Sequence, residues 1–209
     1  MKILLINGSP NERGSVSFAL RKMAEILENS SVKTTVLHID TGDGGCYGCG
    51  RCRELGYCPH GSLIKTASEL FKSADALIIG TPVYYSSPSG SLLSFLDRLF
   101  QGSKFDKSMK VGACFATARR IGGTGALDAI SKYFRHSSMI EAHCSAPPVI
   151  YSKSPEHTEL DREGVFLIEE LVKNLLFITK AVALGKNAMG LPQAESRPLT
   201  DVSTLACRY

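Results

Sequence analysis

The strongest constraint on this chain is a set of short apolar runs without polar alternation. They are KILLI at 2–6, ALIIG at 76–80 and KVGACFA at 110–116. A strand with one face in water alternates apolar and polar residues, so runs like these have both faces covered. Between them lie helical patterns, at Val16, Ala19, Leu20, Met23 and Leu27, at Leu92, Leu93, Leu96, Leu99 and Phe100, and at Leu127, Ile130 and Phe134. VKTTVLHI at 32–39 reads as a second strand and 63–72 as a short helix. A further strand is expected near 137–143 and a long amphipathic helix over about 163–183. Ser15 is placed to cap the first helix. Strands that alternate with helices in this way predict a parallel sheet with helices on both faces, a doubly wound α/β sandwich.

At 209 residues the chain is long enough for one substantial core and short for two. One domain over 1–184 and a C-terminal extension over 185–209 without periodicity are expected, with no internal repeat. The formal charge of +4, with no basic tract, argues against a dedicated nucleic-acid binder. The late apolar stretch GVFLIEELVKNLLFITKAVAL carries Glu169, Glu170, Lys173 and Lys180, so it reads as a packed helix rather than a membrane span. The N-terminal apolar run stops at Asn7, too short for a secretory signal. A cytoplasmic location follows as the expectation, with the seven cysteines as thiols or ligands rather than a disulfide framework.

Ligands bind an open α/β sheet at the C-terminal ends of its strands. Gly8-Ser9-Pro10-Asn11-Glu12-Arg13-Gly14-Ser15 sits at the first such end. Backbone N–H groups at the helix start, the Ser9 and Ser15 hydroxyls and the Arg13 charge suit a phosphate. The chain has neither GxxxxGK[ST] nor GxGxxG here, which favours a monophosphate over a triphosphate or the dinucleotide fingerprint. A plain turn is the alternative. Thr81-Pro82-Val83-Tyr84-Tyr85-Ser86-Ser87-Pro88-Ser89-Gly90 follows the next apolar strand, with two tyrosines where a planar ring can rest. Ala118-Arg119-Arg120-Ile121-Gly122-Gly123 follows the strand after that, and its arginines suit a ring that gains negative charge on reduction. Each has a bland alternative as a solvated or rim segment, but all three leave the same sheet edge.

Cys46, Cys49, Cys52 and Cys58 have the spacing C-x2-C-x2-C-x5-C within a glycine-rich loop over 41–61, too rich in glycine for regular structure. Short gaps let successive thiolates wrap one compact inorganic centre, as in ferredoxin-type [4Fe–4S] ligation, and Cys58 precedes Pro59 as in bacterial ferredoxin runs. Structural zinc normally takes two separated pairs. Zinc, a thiol redox pair and a metal-free loop remain as alternatives. Cys114 reads as a core residue, and Cys144 and Cys207 have no evident partner. His60 lies near the loop, whereas His38, His136, His143 and His157 show no ligand spacing.

Together GSPNERGSV at 8–16, CYGCGRCRELGYC at 46–58, TPVYYSSPSG at 81–90 and ARRIGG at 118–123 resemble, in order and spacing, the flavodoxin-like NAD(P)H-dependent FMN reductases and their iron–sulfur flavoprotein branch. The resemblance implies a five-stranded parallel sheet in the order 2-1-3-4-5. It implies that Ser9, Asn11, Arg13, Ser15 and Val16 surround the FMN phosphate. Pro82, Val83, Tyr84, Tyr85 and Ser86 would line the ribityl chain and ring, and Thr117, Ala118, Arg119, Arg120 and Gly123 would close its other side. It matches Cys46, Cys49, Cys52 and Cys58 to the cluster ligands, and it implies homodimers or dimers of dimers with FMN near the subunit interface. The expected activity is an FMN-dependent redox exchange between flavin and a [4Fe–4S] cluster, with NAD(P)H or a reduced ferredoxin as donor and a small-molecule acceptor. The chemistry belongs to the FMN, with no separate catalytic side chain and no independent nicotinamide fingerprint. A cluster-free NAD(P)H oxidoreductase acting on flavin, quinone, azo or nitro compounds is one rival reading. A zinc-stabilised or thiol-based regulatory module is the other.

Overall fold

The computed structural model describes residues 1–39 and 44–192. In chain order its elements are β1 (Lys2–Asn7), α1 (Ser15–Asn29), β2 (Lys33–His38), α2 (Cys52–Leu55), α3 (Ser62–Ser73), β3 (Ala76–Tyr84) and β4 (Ser87–Pro88). They continue with α4 (Gly90–Gly102), β5 (Val111–Ala118), α5 (Gly123–His136), β6 (Ile140–Glu141), β7 (Val149–Tyr151), a 3-10 turn (Pro155–Leu160) and α6 (Arg162–Met189).

The sheet runs β2-β1-β3-β5-β6, with every neighbour parallel. Successive residues of β1 explain the unbroken apolar runs. Leu4 and Ile6 enter a core with Phe71, Leu96, Leu99 and Phe134, beneath α3, α4 and α5. Ile3 and Leu5 enter the opposite core with Leu20, Met23, Ile168 and Leu171, beneath α1 and α6. Each such side chain contributes roughly 1.5–3 kcal/mol on leaving water, which is why both faces must be apolar.

The expected strand order is the observed one, with two additions. β4 folds back on the end of β3 as an antiparallel hairpin. The fifth position is divided: β6 pairs Val111 and Gly112, and β7 pairs Ala116, Thr117 and Ala118. The strand expected over 137–143 is therefore confined to Ile140–Glu141, and β7 was not foreseen. Pro147 and Pro148 carry no N–H, so the intervening chain cannot continue the ladder there.

Three other expectations are corrected. Gly14, without a side-chain cap bond, is the N-cap of α1, and Ser15 is the first helical residue. The cysteine loop does contain regular structure, the short α2, ended by Gly56 in the left-handed conformation (φ 75°). The last helix, expected over about 163–183, runs on as α6 through Gly185 to Met189. Among the described residues no helix is long and apolar enough to cross a membrane. Residues 41–43 and most of the C-terminal extension, with Cys207, lie outside the described residues.

Candidate functional site

The loop after β1 is organised by the buried Asn7 at the strand end. Its Oδ1 accepts from the N–H of Ser9 at 3.0 Å, and its Nδ2 donates to Ser17 Oγ at 2.8 Å. Ser9 Oγ accepts from the Asn11 N–H at 3.1 Å, and Asn11 Oδ1 from the Arg13 N–H at 3.0 Å. The Ser17 hydroxyl donates to the carbonyl of Glu12. The loop thus satisfies itself, while the first N–H groups of α1 have neither an intrahelical acceptor nor a side-chain cap. That leaves a positively polarised seat for an anion. The FMN phosphate fits this donor set.

A second wall was missed by the sequence reading. After β7 the chain returns to α1, and the fully buried Thr158 donates to Ser15 Oγ at 2.9 Å, with Ser152 Oγ 3.2 Å from Thr158 Oγ1. The Ser152 N–H donates to the carbonyl of Ala118 at 2.8 Å, tying this return to the end of β5. The only sequence signal was a Ser/Thr-rich stretch before Asp161, which caps α6 by accepting from the Gly164 N–H.

The three strand-end loops are physically joined. The Gly8 N–H donates to the Gly80 carbonyl at 2.8 Å, and Ser89 Oγ donates to the Gly8 carbonyl at 2.6 Å. A Cβ on Gly8 would lie 2.6 Å from Leu92 Cδ2 and 2.8 Å from the Gly80 oxygen. Pro82 is the ladder neighbour of Thr117, so the second and third loops leave the sheet side by side. The β3–β4 hairpin turns on Tyr85 and Ser86, both with positive φ (51° and 60°). Side-chain-bearing residues there cost roughly 1–2 kcal/mol each. Gly122, with φ 87°, packs beneath the turn, and a Cβ there would stand 2.6 Å from Ser86 Oγ.

The expected flavin residues divide by exposure. Ser9, Val16, Thr117, Ala118 and Gly123 are buried, Ser15, Pro82 and Val83 are half-buried, and Asn11, Arg13, Tyr84, Tyr85, Ser86, Arg119 and Arg120 are exposed. The side chain of Val16 packs in the core, so toward this edge Val16 offers its backbone. Gly123 backs onto Val149 at the start of α5. Tyr85 is fully exposed, and Tyr84, Ile121, Tyr151 and Leu160 add exposed apolar surface from segments that leave the same edge.

The cysteine loop is separate. Cys46, Cys49, Cys52 and Cys58 line one small cavity, together with Tyr47, His60, Arg98 and Gly102. Cys49 Sγ lies 3.5 Å from His60 Nε2, and the Tyr47 ring meets the His60 ring edge-on. The loop rests on α4: Arg98 Nη1 donates to the Gly44 carbonyl at 3.1 Å, and just past the helix the Lys104 N–H donates to the Gly56 carbonyl at 3.2 Å. A Cβ on Gly102 would fall 2.9 Å from the Cys58 nitrogen. Among the described residues no three His, Cys, Asp or Glu side chains are grouped as a metal-ion site. The four cysteines share the lining of the cavity without forming such a group. Cys114 is a different kind of cysteine. Burial pushes its thiol up to about 12, and burial also raises that of Cys144. Neither supplies a thiolate near neutral pH.

Comparison with known proteins places these motifs. Residues 1–147 match the family model described as NADPH-dependent FMN reductase. An iron-sulfur flavoprotein of Methanocaldococcus jannaschii is 28% identical over 193 residues, covering 87% of this chain and 99% of that protein. An NADPH azoreductase of Bacillus sp. is 26% identical over 178 residues, covering 84% of this chain and 90% of that protein. Among solved structures, a flavodoxin from the domain Archaea has the same fold, with a TM-score of 0.56 at 16% identity, covering 88% of this chain and 99% of the other.

Proposed function

This chain belongs to the NADPH-dependent FMN reductase family and is a flavin-dependent oxidoreductase, and on that premise we propose that it holds FMN at the C-terminal sheet edge, holds a [4Fe–4S] cluster in the cysteine loop, and exchanges electrons between the two. The observation that carries the proposal is the position of α4. Its N-cap Ser89 holds the Gly8 loop, and its last turn carries the cavity lined by all four cysteines. One rigid helix thereby fixes the two sites relative to each other.

When bound, FMN supplies the conversion of two-electron into one-electron steps, and the cluster accepts electrons singly. The chain's residues bind and orient. The α1 N-terminus, with Ser9, Asn11, Arg13, Ser15 and the backbone of Val16, receives the phosphate. Pro82, Val83, Tyr84, Tyr85 and Ser86 form one wall for the ribityl chain and ring, and Thr117, Ala118, Arg119, Arg120 and Gly123 form the other. Arg119 and Arg120 are exposed beside the place where negative charge develops. Cys46, Cys49, Cys52 and Cys58 are the thiolate ligands. The C-x2-C-x2-C-x5-C spacing supports this reading over one zinc ion, which usually takes two separated pairs.

The donor is NAD(P)H or a reduced ferredoxin, the acceptor is a small molecule, and the location is the cytoplasm. The protein acts as a homodimer or a dimer of dimers. The outer crest of α6 supports self-association: Phe166, Phe177 and Leu184 are exposed on one line, opposite the core residues Ile168, Leu171 and Leu175. Glu163 near the start of this crest and Lys173 and Lys180 further along it are exposed, so antiparallel packing of two copies brings opposite charges toward each other.

An anaerobic titration of the loaded protein with NADH, NADPH and reduced ferredoxin tests the function. It is followed optically for the flavin and by electron paramagnetic resonance for the cluster. We expect at least one donor to reduce both centres. A flavin that is fully reduced while the iron signal stays unchanged contradicts the exchange.

A further inference from the structure

The divided fifth position of the sheet leaves a gap opposite the middle of β5. Even-numbered residues of β5 turn their backbone groups toward this position. The Gly112 carbonyl accepts from the Ala142 N–H at 2.8 Å, and the Ala116 N–H donates to the Pro148 carbonyl at 3.0 Å. Cys114, midway between them, points the same way, because backbone groups alternate sides along a strand. β6 ends at Glu141 and β7 begins at Val149, and among the described residues neither the N–H nor the C=O of Cys114 has a hydrogen-bond partner. Carried one step back, the β7 register would take a donor from residue 148 and an acceptor from residue 146. Residue 148 is a proline without an N–H, and the Ala146 carbonyl accepts from the Cys144 thiol at 3.0 Å.

Cys114 is 6% exposed, and buried backbone groups are met by protein, by water or by a bound molecule. It lines a cavity of about 350 Å³ between α5 and residues 141–148. One water takes only about 30 Å³, whereas small-molecule sites begin at roughly 300 Å³. Glu141 Oε1 accepts from the Ser131 hydroxyl and lies 4.0 Å from Cys114 Sγ, so a carboxylate stands beside the same residue. Leu127, Ala142 and Pro148 give the cavity apolar surface. Asp128 and Arg135 also line it, both exposed and opposite in charge, so together they set no net preference.

The cavity therefore presents one donor, the Cys114 N–H, and two acceptors, the Cys114 carbonyl and the Glu141 carboxylate. A primary carboxamide carries the complementary set, one carbonyl and an NH2 with two hydrogens. A carboxylate of the same shape has no donor and meets Glu141 with like charge. We propose that this cavity binds a small apolar ring carrying a primary carboxamide, its carbonyl on the Cys114 N–H and its NH2 shared between the Cys114 carbonyl and Glu141. The lining shares no residue with the cysteine cavity or with those assigned to the flavin, so the proposal stands apart from what either holds.

The test uses the full chain with FMN, isotope-labelled at its cysteine amide nitrogens and read by NMR, with the Cys114 signal assigned by its loss in C114A. Benzamide is the probe, and benzoate, of the same shape, is the control. Benzamide should shift the Cys114 and Cys144 amides together, with a Kd of about 1 mM or tighter, the range open to a one-ring ligand. Cys46, Cys49, Cys52 and Cys58 should stay still. Benzoate should bind about tenfold more weakly or worse, because its oxygens leave the Cys114 carbonyl unpaired. E141Q keeps an acceptor for Ser131 without the charge and should weaken benzamide about threefold or more. A Cys114 signal unmoved at about 10 mM benzamide overturns the site, even if other amides move. Equal affinity for benzoate, or wild-type affinity in folded E141Q, overturns the carboxamide assignment. If E141Q does not fold, the difference between benzamide and benzoate in the wild type decides.

Discussion

The loop after β1 and the cysteine loop are built in opposite ways. The first is closed by its own hydrogen bonds through Asn7, Ser9, Asn11 and Ser17, and is held to the sheet through Gly80 and Ser89. Its form is set before any ligand arrives. The second has glycines with positive φ at 48, 50 and 56 and exposed thiols at Cys46 and Cys49, and it rests on α4 through a few contacts. A loop of that kind gains its rigidity from what its side chains ligate. The fold therefore preorganises the proposed phosphate seat, whereas in the proposed holoprotein the inorganic centre organises the cysteine loop.

Perturbations that strike one loop and spare the other separate the two. The largest effect is expected for Cys49→Ala, which removes one of four thiolates. Iron and sulfide should fall to background while most FMN stays bound. Loss of FMN with iron retained would reverse the assignment of the two sites. Gly102→Ala comes next, because its Cβ meets the Cys58 nitrogen at 2.9 Å and the Cys58 Cβ at 3.0 Å. Displacing one ligand should cut iron content by roughly half or more at constant FMN, since overpacking at a backbone contact is rarely absorbed. Unchanged iron would mean that the docking of Cys58 on α4 is unimportant.

Ser89→Ala probes the element shared by both sites. Ser89 is 2% exposed, donates to the Gly8 carbonyl and caps α4 by accepting from the Leu92 N–H. Losing both bonds should cost about 1–3 kcal/mol, with a lower Tm and weaker FMN retention. Equal stability and flavin affinity would remove Ser89 from the argument. A smaller effect follows from Arg13→Ala, because the side chain is exposed. FMN affinity should fall about two- to fivefold at low ionic strength, and the difference should shrink in salt. A salt-independent affinity equal to wild type would show that Arg13 does not face the phosphate.

The smallest effect concerns Cys114. Its thiol is raised from 9.0 to about 12 in the folded chain, so the unfolded state loses its proton first as pH rises. Stability therefore falls from about pH 9 toward pH 12, and Cys114→Ala removes that part of the loss. Denaturant midpoints at pH 7.5 and pH 10 should draw closer together in the variant. An identical drop in both proteins would contradict the buried neutral thiol.

Much of this architecture was legible because β1, β3 and β5 bury both faces and so write uninterrupted apolar runs. The divided fifth position was not. Its halves are two and three residues long, and Pro147-Pro148 lies between them, too little chain to carry a period. The loop after β1 reads as an anion seat from its glycines and hydroxyls, but nothing local shows that Gly14 rather than Ser15 is the cap or that Thr158 returns to bond Ser15. The cysteine spacing named four thiols, and only the fold shows that they share a cavity with Arg98. A trace of that lay in the sequence, an arginine set in the apolar face of Leu92, Phe95, Leu96 and Leu99.

The difference between the two loops rests on what each holds, and the cofactor content of the protein measures it most directly. Purified without oxygen, one chain should contain about four irons, about four acid-labile sulfides and one FMN. FMN without iron or sulfide, or a single zinc without FMN, would contradict it.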